Sequence, residues 1–268
     1  MRLRWTGYMS AGVLLLAGVV HAEVLYKLTF DTAGDENGVP DAPYNPGTCC
    51  TQPAETAIKR LDPKEGAPSK IVPSTGFQGG KALAITTPRG GNTGYLATNT
   101  AGMIEHAAGV TVEAIIMVDS IPGNLAGIGT QFGTTGIAPT LRFCIPAGGS
   151  IENPGLEFSA GAVTLQYLPQ KSLLKAWHHI AAIYTTDAGD GQSSAELFVD
   201  GVAVARKLVV TAKDHGGQRL VIGGFAFGAD APGVANGRSF TGLIDAVAIS
   251  DKPLIPAKFV LPTHAPAK

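Results

Sequence analysis

The feature that most constrains the fold is a series of short segments in which apolar and polar residues alternate. The clearest is GVTVEAIIMVDS, residues 109–120. One predicted face carries Val110, Val112, Ala114, Ile116 and Val118, and the other carries Thr111, Glu113, Ile115, Met117 and Asp119. A period of two is typical of a strand with one buried face. Similar runs recur between clusters of Gly, Pro, Asn and Asp, which predicts an all-β sandwich or barrel.

Composition agrees with a chain of many turns and argues against nucleic acid or an anionic membrane as the partner. Among 268 residues there are 35 Gly and 18 Pro, and only 15% of the residues are charged. This length allows one large β domain. Because the formal net charge is −1, no overall field attracts the protein to nucleic acid or to an anionic membrane.

One hairpin can be placed in detail. Asp200 and Gly201 stand between two apolar runs and suit a two-residue type I′ turn, in which both residues have positive φ. This turn predicts that Val199 pairs with Val202 and Leu197 with Val204, and that these four residues face the core. Phe198 and Ala203 would then face the other way.

Residues 1–22 are predicted to be a signal peptide. Arg2 and Arg4 precede a short apolar core, Ala11–Val20, and small or modest residues lead to predicted cleavage before Glu23. The alternative is a membrane anchor, but the apolar run is shorter than the ~20 residues that span a bilayer. We therefore expect a secreted, periplasmic or cell-surface protein whose mature chain has no membrane span.

The mature chain, 23–268, is expected to form one domain. Its polar stretch at about 32–76 is rich in Pro and Gly, so we interpret it as a loop insertion rather than a linker. The insertion contains Cys49 and Cys50, and Cys144 lies far along the chain. An odd number of cysteines allows one bridge from Cys144 to either of the adjacent pair, and which one stays open.

Several segments together resemble a known family. They are GGKALAI, GVTVEAIIMV, AWHHIAAIY, AELFVDGVAVA, LVIGG and FTGLIDAVAIS, and they span about Gly76 to Leu254. In this order they resemble the laminin-G-like members of the concanavalin A-like lectin/glucanase superfamily, pentraxins included. The resemblance implies a jelly-roll sandwich of two antiparallel sheets. One sheet would be concave, with loops around a ligand surface.

The same resemblance implies one structural calcium ion. It assigns Asp245, in the last strand, and Asp31, at the end of the first strand, as metal ligands. Further oxygens could come from the acidic and amide residues that follow, which are Asp35, Glu36, Asn37 and Asp41. The alternative also stays open: Asp31 and Asp41 would form Asx-turns, and Asp245 would hydrogen-bond the backbone.

No residue pattern assigns a catalytic site. Alternation places His178 and His179 on opposite faces, so they form no joint site, and Trp177 is expected in the core. On the face that carries Glu113, the next residues, Ile115 and Met117, are apolar. Asp119 lies about 20 Å along the strand, which is too far for a glycosidase pair.

A lyase would need a cluster of Tyr, His, Arg and Gln on the concave sheet. The candidates are Tyr184, Tyr167, Gln166 and Arg142, but their spacing matches no recognisable motif. We therefore expect a non-catalytic recognition module for a glycan or an extracellular protein. It would bind through the concave sheet or through the loops at 124–135 and 230–238. The sequence does not identify the individual ligand-binding residues. The alternatives are a polysaccharide-active hydrolase or lyase and a structural surface protein.

Overall fold

The computed structural model describes fourteen stretches of the chain, with gaps between them. These are residues 24–32, 58–61, 70–77, 80–86, 95–98, 109–121, 125–132, 140–160, 163–186, 188, 191–210, 219–223, 240–250 and 252–264. They contain strands throughout and short 3-10 turns at Phe30–Thr32 and Pro256–Lys258.

The strands are numbered in chain order. They are β1 (Val24–Thr29), β2 (Ile58–Leu61), β3 (Lys70–Pro73), β4 (Lys81–Ile85), β5 (Tyr95–Thr98), β6 (Gly109–Ser120), β7 (Leu125–Phe132), β8 (Thr140–Cys144), β9 (Gly155–Ala160), β10 (Val163–Tyr167), β11 (Trp177–Thr185), β12 (Gln192–Val199), β13 (Val202–Val210), β14 (Arg219–Ile222) and β15 (Thr241–Ser250).

The strands form two antiparallel sheets, as the sequence predicted. The first sheet has the order β13-β12-β11-β6-β15-β4-β3, and β1 also pairs with β15. The second has the order β10-β9-β8-β7-β14-β5-β2. The all-β jelly-roll prediction is therefore confirmed, and the first and last strands, β1 and β15, run side by side.

The core lies between the two sheets and follows the alternation of the strands. The all-apolar face of β6, from Val110 to Val118, is buried in it. Ile180, Ala182 and Tyr184 of β11 join the same cluster. The second sheet contributes Leu141, Phe143, Leu156, Phe158, Val163 and Leu165. Because these residues face inward, their neighbours along β8, β9 and β10 face outward.

The predicted hairpin forms, with one change of register. Asp200 and Gly201 have φ of 50° and 74°, and Val199 pairs with Val202. A register shift after Phe198 then pairs Leu197 with Ala205 instead of Val204. Val202 is 64% exposed, so its predicted place in the core is wrong. The side chain lies at the turn, beyond the reach of the opposite sheet.

Two segments expected to be loops contain strands. β2 and β3 lie within the stretch at 32–76, where they pair with β5 and β4. β7 occupies most of the predicted ligand loop at 124–135. Short Gly-rich segments such as LAGIGTQF carry too weak an alternation to be recognised as strands. The predicted signal peptide, residues 1–22, and the predicted ligand loop at 230–238 lie outside the described residues.

The carboxyl-terminal segment, residues 252–264, covers part of the outer face of the first sheet. We call it the strap. Leu261 is buried there in a cluster with Phe77, Ile115, Ala246 and Ala248. Phe259 packs beside Phe198, with ring centroids 5.4 Å apart. The first sheet is therefore buried on both of its faces near the centre.

Candidate functional site

The outward polar residues of β6 hold the strap in place. Thr111 Oγ1 donates to the carbonyl of Lys252 and accepts from the N–H of Leu254, each at 2.8 Å. Glu113 accepts the N–H groups of Val260 and Leu261 at 3.0 and 3.1 Å. Glu113 is fully buried, so this carboxylate serves the fold and does not meet a ligand.

The two histidines bind separate carboxylates. Buried His179 contacts Glu113 through Nε2 at 3.2 Å, and its ring packs against Phe259. His178 Nδ1 lies 2.8 Å from Asp200 Oδ2, and Asp200 Oδ1 accepts the N–H of His179 at 2.9 Å. Burial alone would raise the pKa of Asp200, but these hydrogen bonds outweigh it and lower that pKa. Both histidines thus stabilise structure at the strap and the hairpin.

Trp177 does not lie in the core between the sheets. It is half-buried and packs against the outer cluster that contains Leu261. Its predicted place in the core is therefore wrong, because it shares the outer side of β11 with Ala181 and Ile183. This outer side is buried because the strap packs against it. The sequence analysis did not predict this packing.

The outer face of the second sheet carries the strongest candidate for a binding site. Arg142 of β8 pairs with Glu157 of β9, and Glu157 pairs with Gln166 of β10. The three side chains therefore form one row across three strands, which we call the polar row. Gln166 is exposed and Arg142 is partly exposed, whereas Glu157 is only 4% exposed.

Glu157 is the centre of the hydrogen bonds in this row. Its Oε1 accepts from Arg142 Nη2 and from Ser159 Oγ, the latter at 3.2 Å, and its Oε2 accepts from Gln166 Nε2 at 2.7 Å. Ser159 lies 3.4 Å from the hydroxyl of Thr164 on β10. The carboxylate thus orients a guanidinium, an amide and a hydroxyl on rigid strands.

Cys144 lies two residues beyond Arg142, on the same face of β8. Its side chain is buried, and burial together with Glu157 raises the pKa of the thiol to about 12, against the opposing effect of Arg142. Cys49 and Cys50 lie outside the described residues, so the proposed bridge to Cys144 stays a prediction.

The two predicted calcium ligands lie near one end of the β1–β15 pair. Thr29 pairs with Ala246, and Asp245 occupies an irregularity in the pairing of β15 with β6. Asp245 is 4% exposed, whereas Asp31 is exposed and accepts the N–H of Lys81 at 3.0 Å. Within the described part of the chain, no three His, Cys, Asp or Glu residues are grouped closely enough to bind a metal ion. Asp35, Glu36, Asn37 and Asp41 lie outside it.

The residues considered for a lyase are only partly brought together. Arg142 and Gln166 share the polar row, but Tyr184 is fully buried between the sheets and burial raises its pKa. Tyr167 also packs against the core. Sequence reasoning missed Glu157, which joins Arg142 to Gln166. Its signal was the alternation in GLEFSA, in which the outward residues Glu157 and Ser159 alternate with the buried residues Leu156 and Phe158.

Comparison with known proteins gives the family. A laminin-G family model, described as the concanavalin A-like lectin/glucanases superfamily, matches residues 90–258, which is more than half of the chain. A search of curated proteins finds no match. Among the described residues, no helix is both long and apolar enough to pass through a bilayer.

Solved structures of similar fold include three at low sequence identity. One is domain 4 of the extracellular arabinanase AbnA from Geobacillus stearothermophilus, in complex with arabinotriose, at 14% identity and a TM-score of 0.52, covering 88% of this chain and 96% of that one. Another is the heptameric SAP-like pentraxin from Limulus polyphemus, at 14% identity and a TM-score of 0.47, covering 77% of this chain and 81% of that one. A third is the mouse laminin alpha1 chain, domains LG4-5, at 16% identity and a TM-score of 0.43, covering 70% of this chain and 48% of that one. The chain belongs to the laminin-G-like family of the concanavalin A-like lectin/glucanases superfamily.

Proposed function

We propose that this protein is an exported, non-catalytic recognition module that binds a glycan through the outer face of its second sheet. The observation that carries the proposal is the contrast between the two outer faces. The strap covers the centre of the first sheet with apolar contacts, whereas the second sheet presents Arg142, Glu157 and Gln166 in one row. Sugar hydroxyls are bound by such fixed donors and acceptors.

The fold supports a glycan as the ligand. The AbnA domain, whose structure contains arabinotriose, shares the sandwich architecture over most of both chains. At 14% identity this likeness concerns the fold alone. An extracellular protein is the other ligand class that the sequence allows, and it becomes the leading alternative if no oligosaccharide binds.

The chemistry of Glu157 argues against hydrolysis at the polar row. A glycosidase uses two carboxyl groups about 5–10 Å apart, one of which donates a proton while the other attacks or activates water. Glu157 is nearly inaccessible, and three donors occupy its oxygens. Its described neighbours in the row are a guanidinium, an amide and hydroxyls, none of which replaces the second carboxyl group.

An oligosaccharide array tests the proposal. Wild type should bind a subset of oligosaccharides, and Gln166→Ala should lose about tenfold in affinity, since one hydrogen bond is removed. Gln192→Ala is the matched control, because Gln192 lies on β12 of the other sheet, and it should bind like wild type. Equal binding by wild type and Gln166→Ala would move the ligand away from the polar row. Binding of no oligosaccharide would refute the glycan proposal.

Export and calcium complete the proposal. Expression with the native amino terminus in a secreting host should yield a mature chain that begins at Glu23, as read by amino-terminal sequencing. A secreted protein that still carries the apolar segment 11–20 would contradict the signal peptide.

We also propose that Asp31 and Asp245 contribute to one structural calcium site, because the pairing of β1 with β15 brings them to the same end of the sheet.

A further inference from the structure

The polar row contains one cation and one anion, and they are bonded to each other. Arg142 and Glu157 form an ion pair in which the carboxylate side chain is 5% exposed and the arginine side chain 19% exposed. Gln166, Ser159 and Thr164 add no charge. If the row binds a glycan, as proposed above, the ligand therefore meets side chains of the row that are polar but together carry no net charge. Outside the row, Lys207 Nζ donates to the backbone carbonyl of Thr164 at 3.1 Å.

The geometry of Arg142 disfavours capture of an acidic group. Arginine binds a carboxylate or sulfate best through two parallel hydrogen bonds. Here Nε is buried and Nη2 already donates to Glu157, so the edge formed by these two nitrogens is not open to a ligand. An anion that reached the rest of the guanidinium would also lie well within one Debye length of Glu157 and be repelled by it.

The remaining polar groups of the row can form hydrogen bonds with sugar hydroxyls. Gln166 donates through Nε2 to Glu157, which turns its Oε1 away from the carboxylate on an exposed side chain. This oxygen can accept a hydrogen bond from a sugar hydroxyl. Thr164 and Ser159 supply hydroxyls on the neighbouring outward positions, and these can both donate and accept.

We infer that the polar row selects uncharged glycans over acidic ones, and that Glu157 is the residue that sets this selectivity. Glu157 acts through its bond to Arg142 rather than by touching the ligand. Neutralising it releases the guanidinium, and the row then carries a net positive charge. The inference rests on the proposed glycan site.

The test compares wild type with Glu157→Gln on an array of neutral and uronic-acid-containing oligosaccharides of matched length. Wild type should bind neutral members more tightly, and Glu157→Gln should gain about tenfold in affinity for the acidic members, which is about 1.4 kcal/mol. Glu196→Gln is the matched control, because it removes the same charge from an exposed pair with Arg206 on the other sheet. It should not change the preference.

A second measurement uses wild type alone, in case Glu157→Gln does not fold. Affinity for the tightest-binding neutral oligosaccharide should change by less than about twofold between 0.05 and 0.5 M NaCl, because no charged ligand group is involved. Tighter wild-type binding of acidic oligosaccharides, or a folded Glu157→Gln that gains nothing for them, would overturn the inference and leave the glycan site intact. Wild type that binds no oligosaccharide would overturn both.

Discussion

Replacing Glu113 with Gln should destabilise the protein far more than a surface substitution of the same kind. The carboxylate is fully buried and accepts Val260 N–H on Oε1 and Leu261 N–H on Oε2, where His179 Nε2 also lies. An amide has one acceptor oxygen and one NH2 group. Whichever way it turns, the NH2 group faces a backbone N–H that then has no acceptor.

The magnitude follows from these bonds. A buried donor left without a partner costs about 1–3 kcal/mol, and the retained bond weakens because the acceptor is no longer charged. We therefore expect Glu113→Gln to lower the free energy of unfolding by about 2–4 kcal/mol. The substitution keeps the side-chain volume, so lost packing does not add to this value.

Urea denaturation monitored by tryptophan fluorescence measures the effect, since Trp177 packs in the cluster that contains Leu261. Glu196→Gln serves as the control, because its partner Arg206 is 60% exposed and the pair is 3.5 Å apart. Exposed pairs of this kind contribute less than about 1 kcal/mol. If Glu113→Gln lost no more than the control, the strap would not depend on the buried carboxylate and our reasoning would be wrong.

Three further outcomes are expected. Hydrogen bonds from His178 and the His179 N–H lower the pKa of Asp200 despite burial, so its charge stabilises the fold at neutral pH and this contribution disappears as pH falls through the lowered pKa. Asp200→Asn, which keeps the positive φ of the turn, should therefore unfold at a lower temperature than wild type at pH 7. This difference should shrink as the pH falls below about 3.8, the ordinary pKa of Asp, and through the lowered pKa; a difference that does not change with pH would contradict this. Because burial raises the pKa of Cys144 to about 12, its thiol should not react with Ellman's reagent at pH 8 in the folded protein once the two adjacent cysteines are replaced by serine, whereas a fast reaction would show that it is accessible. Chelation of calcium should lower the thermal midpoint of wild type but not of Asp245→Asn, and an unchanged wild-type midpoint would remove Asp245 from the metal ligands.

Features that depend on neighbouring residues were predicted well. The strand at 109–120 begins and ends where the alternation does, and Asp200 and Gly201 adopt the φ values that a type I′ turn requires. Alternation also grouped together the residues of β6 that share its inner face. These features are local, since a strand's period and a turn's dihedral angles are determined by a few adjacent residues.

Contacts between distant residues were decided by the tertiary structure. Alternation shows that Glu113 points away from the core, but only the strap, 147 and 148 residues away, makes that outer side buried. The polar row likewise needs the register of β8, β9 and β10, which brings Glu157 between Arg142 and Gln166. A strand's sequence determines which face a side chain occupies. It does not determine which strand lies beside it or what covers that face, because both depend on the packing of the whole chain.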